Sequence, residues 1–429
     1  MGSFGVTGLP HPLTNGPHVL DDQRTFQPGT PGGPGRPADG SWDLVVVGAG
    51  PSGAATALGA LTADPTLRVL LLDREDFPRD KSCGDGIAPH VVDALAAVGA
   101  QDVVDGWAPV RRLQLARAGS SVARTLSRSV WVIPREVFDA RLVEHARRAG
   151  AQLRRHRVRG VHVAPDGVLL DGSVTGRVVV AADGAHSVVR PALGLPAARR
   201  RALAIRGYAE TPPSRRGLQL IVYGERRQPS YAWAFDRGDG LSNVGYGELL
   251  GPDAPPSRAL LLEQLEHLVP GTVAGGTHWR AHHLPLSQWR CRQPDGRVLL
   301  AGDAAGLINP MTGEGIYYAV ASGLLAGRAA AAALGSSTPD RAGALHRHSV
   351  QRLLARHLRH TFTSSRLSTV PAVVDAGIRA AAGDQRVFDD LVEIGLGRGV
   401  ITPRLVHGLV RNLRRPPSDE QHPNQNVAV

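Results

Sequence analysis

The sequence predicts an α/β fold: a Rossmann-like domain assembled from separated stretches of chain, interrupted by an inserted antiparallel β-sheet and followed by a C-terminal helical region. Three apolar strands predict it, each ending in glycine or aspartate. Trp42–Val47 runs into Gly48, Arg177–Ala182 into Asp183, and Arg297–Ala301 into Gly302. Continuous apolar runs of this length suit parallel strands buried on both faces. Ligands of open α/β sheets bind where such strand ends converge.

Taken in order, residues 1–41 are rich in Gly and Pro and lack an apolar stretch, so they are expected to be a disordered leader, not a signal peptide. Gly48-Ala49-Gly50-Pro51-Ser52-Gly53 then joins the first strand to an alanine-rich helix at Ala54–Leu61. This is GxGxxG in its strand–turn–helix setting, where Gly48, Gly50, Ser52 and Gly53 let a pyrophosphate approach the backbone. The next strand, Leu67–Leu72, ends in Asp73, spaced to grip an adenosine ribose. A helix is predicted over 134–150, with Pro134 at a permitted opening position. The second strand end carries Asp183-Gly184. The third opens the run 302–323, in which Asp303 can accept hydrogen bonds from a polyol such as a ribityl chain. In the same run, Pro310, Gly313, Gly315 and Ile316 lead into a helix N-terminus that favours electron-rich atoms.

The order of these motifs resembles the flavoprotein hydroxylase superfamily, whose FAD domain is discontinuous. The resemblance implies bound FAD, held by Gly48, Gly50, Ser52, Gly53, Asp73, Asp183, Gly302, Asp303, Pro310, Gly313, Gly315 and Ile316. An arginine at the start of the 134–150 helix meets the cofactor in that superfamily, which adds Arg135. The expected division is 42–200 and 286–330 for the FAD-binding domain, 201–285 for a substrate-binding β-sheet domain, and 331–429 for a helical cap.

Lys81 is the only lysine among 49 basic residues, and it stands two positions before Cys83 in a glycine-bearing loop. Lysine and arginine near a thiol lower its pKa and favour thiolate, while the glycines admit a flat ring. A surface loop with a bystander cysteine is the alternative. Further on, Tyr231, Trp233 and Phe235 alternate along a strand and share one face, as a pocket wall or as sheet core. Residues 236–240 form a turn, and 241–246 return as the paired strand.

The net charge is +11, but the basic residues are scattered and match no nucleic-acid-binding module, so no nucleic-acid partner is expected. An anionic membrane surface or an acidic carrier protein suits the charge better. Residues 401–415 read as a basic amphipathic helix, lying on lipid or packed on its own domain. No apolar run is expected to approach the ~20 residues that span a bilayer. Two cysteines, Cys83 and Cys291, make neither a disulfide framework nor a metal site, which points to a cytoplasmic protein, and the basic 401–415 segment adds a position peripheral to the membrane as an expectation.

The GDAAGxxNPxTGEGI run, Lys-x-Cys-Gly-Asp-Gly at 81–86, and Tyr-x-Trp-x-Phe at 231–235 resemble the geranylgeranyl reductase family. Its members are FAD enzymes that saturate double bonds of prenyl chains on lipids, quinones or pigments. The resemblance implies that Cys83 lies in the active-site loop and donates a proton, with Lys81 beside it and Tyr231 as a second proton source. It also implies that Tyr231, Trp233 and Phe235 line the substrate pocket. Asp236 departs from the family, which continues there with proline, and would place a carboxylate near the pocket wall. NADPH, or a reduced ferredoxin or flavodoxin, is the expected electron donor. The competing reading is a monooxygenase or halogenase of secondary metabolism, acting on a free or carrier-bound substrate. Gly306, Gly315-Ile316-Tyr317 and 231–236 depart from the patterns of those enzymes and favour the reductase.

Overall fold

The computed structural model describes residues 41–196, 200–252, 254–290 and 292–413. The expected leader up to residue 40, Cys291 and the last two residues of the 401–415 segment lie outside the described residues.

The first sheet runs in the order Gln152–Arg155, Val69–Asp73, Ser41–Val47, Val174–Ala181, Val168–Leu170, Val161–Val163. Val298–Leu300 pairs with the far half of Val174–Ala181. Four parallel pairings join five of its strands, Val298–Leu300 among them, and the buried apolar stretches of Ser41–Val47, Val69–Asp73, Val174–Ala181 and Val298–Leu300 suit that arrangement. Leu44, Val45 and Val46 are fully buried, as are Val178 to Val180. Two helices, Pro51–Ala63 and Ile316–Gly335, pack closely on each other against this sheet. Their alanines and glycines allow that approach. The second helix is by length and composition apolar enough to cross a membrane, contrary to expectation, but most of its residues are buried. Its run is a core helix.

The second sheet has eight strands, ordered Thr277–Pro285, Arg201–Glu210, Leu241–Leu249, Ser230–Asp236, Leu218–Tyr223, Val110–Arg117, Ser120–Val132, Gly86–Ile87. The expectation placed only 201–285 here. Residues 86–87 and 110–132, assigned to the cofactor domain, in fact complete this sheet. The join is a parallel pairing of Val110–Arg117 with Leu218–Tyr223, about a hundred residues on. Such a contact has no hairpin signature to betray it.

Four helices follow the shared core: Ala342–Leu367, Pro371–Gly383, Gln385–Leu396 and Pro403–Leu413. Ile378, Ala381 and Phe388 share a buried cluster with Val110, Leu113, Val122 and Val130. Arg117 Nη1 donates to both Asp375 oxygens at 2.8 Å, and Arg124 Nε donates to the Ala381 carbonyl at 2.7 Å. These helices therefore cover the added strands and wall one end of the cleft between the sheets.

Candidate active site

A cavity of about 520 Å3 lies where the strand ends of the first sheet meet a face of the second. On the first side its wall is mostly backbone. Gly48 has φ +96°, and a Cβ there would sit 2.4 Å from the Ala182 carbonyl oxygen; one on Gly53 would sit 1.8 Å from that of Gly48. No side chain fits either position. Gly50, Pro51 and Ser52 line the cavity at the N-terminus of Pro51–Ala63, which no side chain caps. The Ser52 hydroxyl is buried without a partner. Free helical amides and an orphan hydroxyl are what a pyrophosphate satisfies, so these residues fit FAD.

The charged groups around this turn brace it. Asp73 Oδ2 accepts the Ala49 amide at 2.8 Å, and its Oδ1 accepts that of Glu75 at 3.0 Å. Buried Arg135 forks onto Asp139 at 2.6 and 2.7 Å, with a guanidinium nitrogen 3.9 Å from where a Gly50 Cβ would stand. Burial works against the Arg135 charge, but Asp139 outweighs it and holds the pKa raised. Asp183 is placed differently from expectation. Its neighbours Ala182 and Gly184 line the cavity, while its own Oδ2 accepts the Val188 amide at 2.8 Å. It shapes the loop. Gly302 is likewise structural, its amide donating to Ser322 Oγ at 2.9 Å. Asp303, Pro310, Gly313, Gly315 and Ile316 all face the cavity.

The second side is built from side chains. Tyr231, Trp233 and Phe235 line the cavity in a row, with ring centroids 5.9 and 6.4 Å apart. The Tyr231 hydroxyl donates to the Thr312 carbonyl, which ties this wall to the turn before Gly313. Lys81, Cys83 and Gly84 line the cavity from a loop beside this row, where a Cβ on Gly84 would lie 3.7 Å from the Phe235 ring and 3.8 Å from Trp233 Nε1. One residue that sequence reasoning missed joins loop to wall. Asn243 Oδ1 accepts Trp233 Nε1–H at 2.8 Å, while its Nδ2 donates to the Cys83 carbonyl at 2.9 Å and to Asp85 Oδ2 at 2.8 Å. Tyr208 also donates to Asp85 Oδ2, at 2.6 Å. Fully buried Arg206 donates to the Lys81 carbonyl at 3.1 Å.

The electrostatics correct two expectations. Burial pushes the Cys83 thiol up, and the cation opposing that rise is Arg135, not Lys81. The thiol therefore keeps its proton, where a thiolate was expected. Lys81 instead stands 3.9 Å from Asp303, its own pKa lowered chiefly by burial. The second correction is Asp236. Its carboxylate accepts the amides of Gly217 at 2.6 Å and Gly238 at 3.0 Å, away from the cavity, and it belongs to the turn rather than the pocket wall.

Two buried acids were also missed. Burial raises Asp85 to about 6 against the hydrogen bonds of Tyr208 and Asn243. It raises Glu314 to about 7, although Glu314 Oε1 accepts the Tyr317 amide at 2.8 Å. Both stand inside motifs read for their glycines, which was the available signal. Asn243 sits in an ordinary strand and offered none.

Comparison with known proteins agrees with this geometry. The FAD binding domain family matches residues 41–233. The menaquinone reductase of Mycolicibacterium smegmatis is 31% identical over 309 residues, 66% of this chain and 75% of that protein. Digeranylgeranylglycerophospholipid reductase 1 of Methanopyrus kandleri is 32% identical over 317 residues, 68% of this chain and 81% of that protein. A solved structure of a geranylgeranyl bacteriochlorophyll reductase-like protein from Thermoplasma acidophilum superposes with a TM-score of 0.70 at 18% identity. It covers 87% of this chain and 96% of that one, and shows the same fold.

Proposed function

The chain belongs to the geranylgeranyl reductase family of FAD-dependent oxidoreductases, and we propose that it saturates carbon–carbon double bonds along a long apolar chain of prenyl type. The observation that carries this is the apolar cavity itself, with the Tyr231–Trp233–Phe235 row along one wall and the Cys83 loop tied to that row through Asn243. Its far end is lined by Leu405, Val406, Leu409, Val410 and Leu413, which give an extended hydrocarbon a greasy wall to lie along. The relatives named above act on a menaquinone and on a digeranylgeranyl glycerophospholipid, and a lipid or quinone tail is the substrate class we assign here.

Reduced FAD, when bound, supplies a hydride. Cys83 holds the proton that the second alkene carbon takes up. Asn243 and Arg206 fix the Cys83 loop by its carbonyls. Tyr231 has its hydroxyl committed to the Thr312 carbonyl, and burial raises its pKa, so it serves as wall and not as acid. Lys81, paired with Asp303, holds the edge of the cofactor site. NADPH or a reduced ferredoxin or flavodoxin is the source of electrons.

An anionic membrane surface is the partner we assign to the cavity mouth, which places a cytoplasmic enzyme at the bilayer. Leu367, Val406, Val410 and Leu413 are exposed there, flanked by exposed Arg366 and Arg411, while Arg404 is neutralised by Asp390 at 2.6 Å. Apolar residues ringed by arginine match an anionic bilayer.

The test is anaerobic. Enzyme reduced by dithionite without excess is mixed with a digeranylgeranyl glycerophospholipid, which has no quinone ring to take the electrons, and return of the oxidised flavin absorbance is followed together with the mass of the product. Alkene-dependent reoxidation with a gain of two hydrogens is expected. No reaction with alkenes, but oxygen-dependent hydroxylation or halogenation of an added substrate, overturns the reading.

A further inference from the structure

A second cavity, of about 570 Å3, lies between Ala342–Leu367, Gln385–Leu396 and the loop that follows, outside the site described above. Arg352 and Arg356 line it one helical turn apart, and Arg398 lines it from the loop. All three residues are exposed, and none takes part in an ion pair or hydrogen bond among the described residues. The carboxylates of the same walls are already taken. Asp390 accepts from Arg404 at 2.6 Å and from the Thr402 hydroxyl, and Glu393 lies 3.2 Å from His90 Nε2. Nearby Asp93 accepts both Arg128 nitrogens, at 2.7 and 2.9 Å. His90, from the helix Pro89–Ala96, completes the lining, and its Nδ1 is buried with no partner. Like charges four residues apart on a helix repel, so this cluster is short of an anion.

The cavity is joined to the flavin site by a chain of hydrogen bonds that runs in one direction. The Gly399 carbonyl, next to Arg398, is 2.7 Å from His357 Nδ1, which must donate. His357 Nε2 is then an acceptor and takes the Tyr318 hydroxyl at 2.5 Å. Burial lowers the His357 pKa, in keeping with the neutral ring this chain requires. The Tyr318 oxygen accepts Asn309 Nδ2 at 3.1 Å, and Asn309 Oδ1 accepts the Met311 amide at 2.9 Å. Residues 310–316 line the first cavity. His90 gives a second link. A Cβ on Gly397 would stand 2.5 Å from its Cε1, and its ring meets Tyr317 edge-on at 5.7 Å. Both links start on the loop 397–402 and end at the N-terminus of Ile316–Gly335.

We propose that this second cavity binds a phosphate group on Arg352, Arg356 and Arg398, and that its filling is passed to the flavin turn through Gly399, His357, Tyr318 and Asn309. Guanidinium groups bind phosphate through paired, charge-assisted hydrogen bonds. Three of them around one recess suit a dianion better than a single carboxylate. An anion that draws Arg398 inward moves the carbonyl beside it, which is the first acceptor of the chain. The chain ends on the turn that carries Gly313 and Gly315 into the first cavity. One segment of backbone separates the two cavities, since Val400 and Thr402 line the second and Ile401 the first. A free phosphate compound and the phosphate of a lipid headgroup both carry the required chemistry. The proposal needs bound FAD but no particular substrate, so it stands or falls apart from the reductase reading.

The test uses the full chain loaded with FAD, with flavin content checked in every variant, in about 0.15 M salt to screen scattered surface charge. Calorimetry with pyrophosphate gives the affinity, and the difference spectrum of the oxidised flavin gives the response. Arg352→Ala and Arg356→Ala are each expected to weaken binding by about 10-fold, the lower end for a hydrogen bond to a charged group. Arg359→Ala removes an exposed arginine of the same helix outside the cavity and should leave the affinity unchanged. In the wild type the flavin spectrum should shift and saturate at the calorimetric affinity. Tyr318→Phe should keep that affinity and lose the shift. Arg398→Ala, an exposed change that spares the core, should bind more weakly and show a much smaller shift even at saturation. No saturable binding to the wild type, or equal weakening by Arg359→Ala, overturns the site. A full-sized shift in either Tyr318→Phe or Arg398→Ala overturns the transmission. Repeating the titration with a saturating prenyl diphosphate separates the two sources. Competition assigns the phosphate to a lipid headgroup and unchanged affinity assigns it to a free anion, and either result upholds the site.

Discussion

The two walls of the cleft are made of different material. The edge of the parallel sheet presents backbone: glycines at 48 and 53 whose missing side chains leave room for carbonyl oxygens, and two helix N-termini. The face of the antiparallel sheet presents side chains, a row of aromatics and a thiol loop clamped by Asn243. A backbone site fails when any atom is added. A side-chain site changes by degrees as each group is replaced. Substitutions on the two walls should therefore fail in different ways.

The largest effect belongs to the backbone wall. Gly53→Val puts a branched side chain where even a Cβ would lie 1.8 Å from the Gly48 carbonyl oxygen. Colourless protein without FAD is expected, visible in the absorbance of the purified chain. Full flavin occupancy would show that this turn is not the pyrophosphate site. Cys83→Ala, on the other wall, should keep its yellow colour and its reduction by dithionite. Only the alkene-dependent half-reaction should slow, by roughly 10²–10⁴-fold, the usual contribution of a general acid. Wild-type turnover would remove Cys83 from that role and leave the reductase reading standing. Loss of FAD from Cys83→Ala would erase the contrast between the walls.

This difference in material also explains what the sequence reveals. Glycine spacing after an apolar strand is a local pattern, so 48–53 and 302–316 could be read with their elements. Tyr231, Trp233 and Phe235 were legible because strand alternation alone puts them on one face. Asn243 acts through three partners at 83, 85 and 233, a convergence created by sheet pairing. The strands at 110–132 were misassigned for the same reason, since their partner is a parallel strand far along the chain. The direction of the Cys83 shift was misjudged because sequence shows nearby charge but not depth. Burial proved the larger influence.

Asp85 sharpens the comparison through pH. Its folded value of about 6 lies above the unfolded 3.8, so the folded protein holds this proton more tightly. The carboxyl's contribution to stability is therefore most favourable below about 3.8 and declines as pH rises to about 6. Above that it is flat. The difference between 3.8 and about 6 corresponds to about 3 kcal/mol. Asp85→Asn, which cannot ionise, should lack this slope in denaturant unfolding between pH 4 and 6. Parallel slopes for the two proteins would mean that Asp85 does not titrate in that range.

The smallest effect separates a residue near the wall from one in it. Asp236 ends the aromatic strand, and its carboxylate holds the amides of Gly217 and Gly238 and the Thr211 hydroxyl. Asp236→Ala strands those donors in a partly buried turn, which should cost about 1–2 kcal/mol of stability, the range for a lost hydrogen-bond acceptor. Phe235 points to the opposite face of the strand, so the cavity should be untouched. KM for a prenylated substrate and the rate of alkene-dependent reoxidation should match the wild type, while the urea midpoint falls. A changed KM at unchanged stability would return this carboxylate to the pocket wall, where the sequence first placed it, and would require the turn to rearrange when substrate binds.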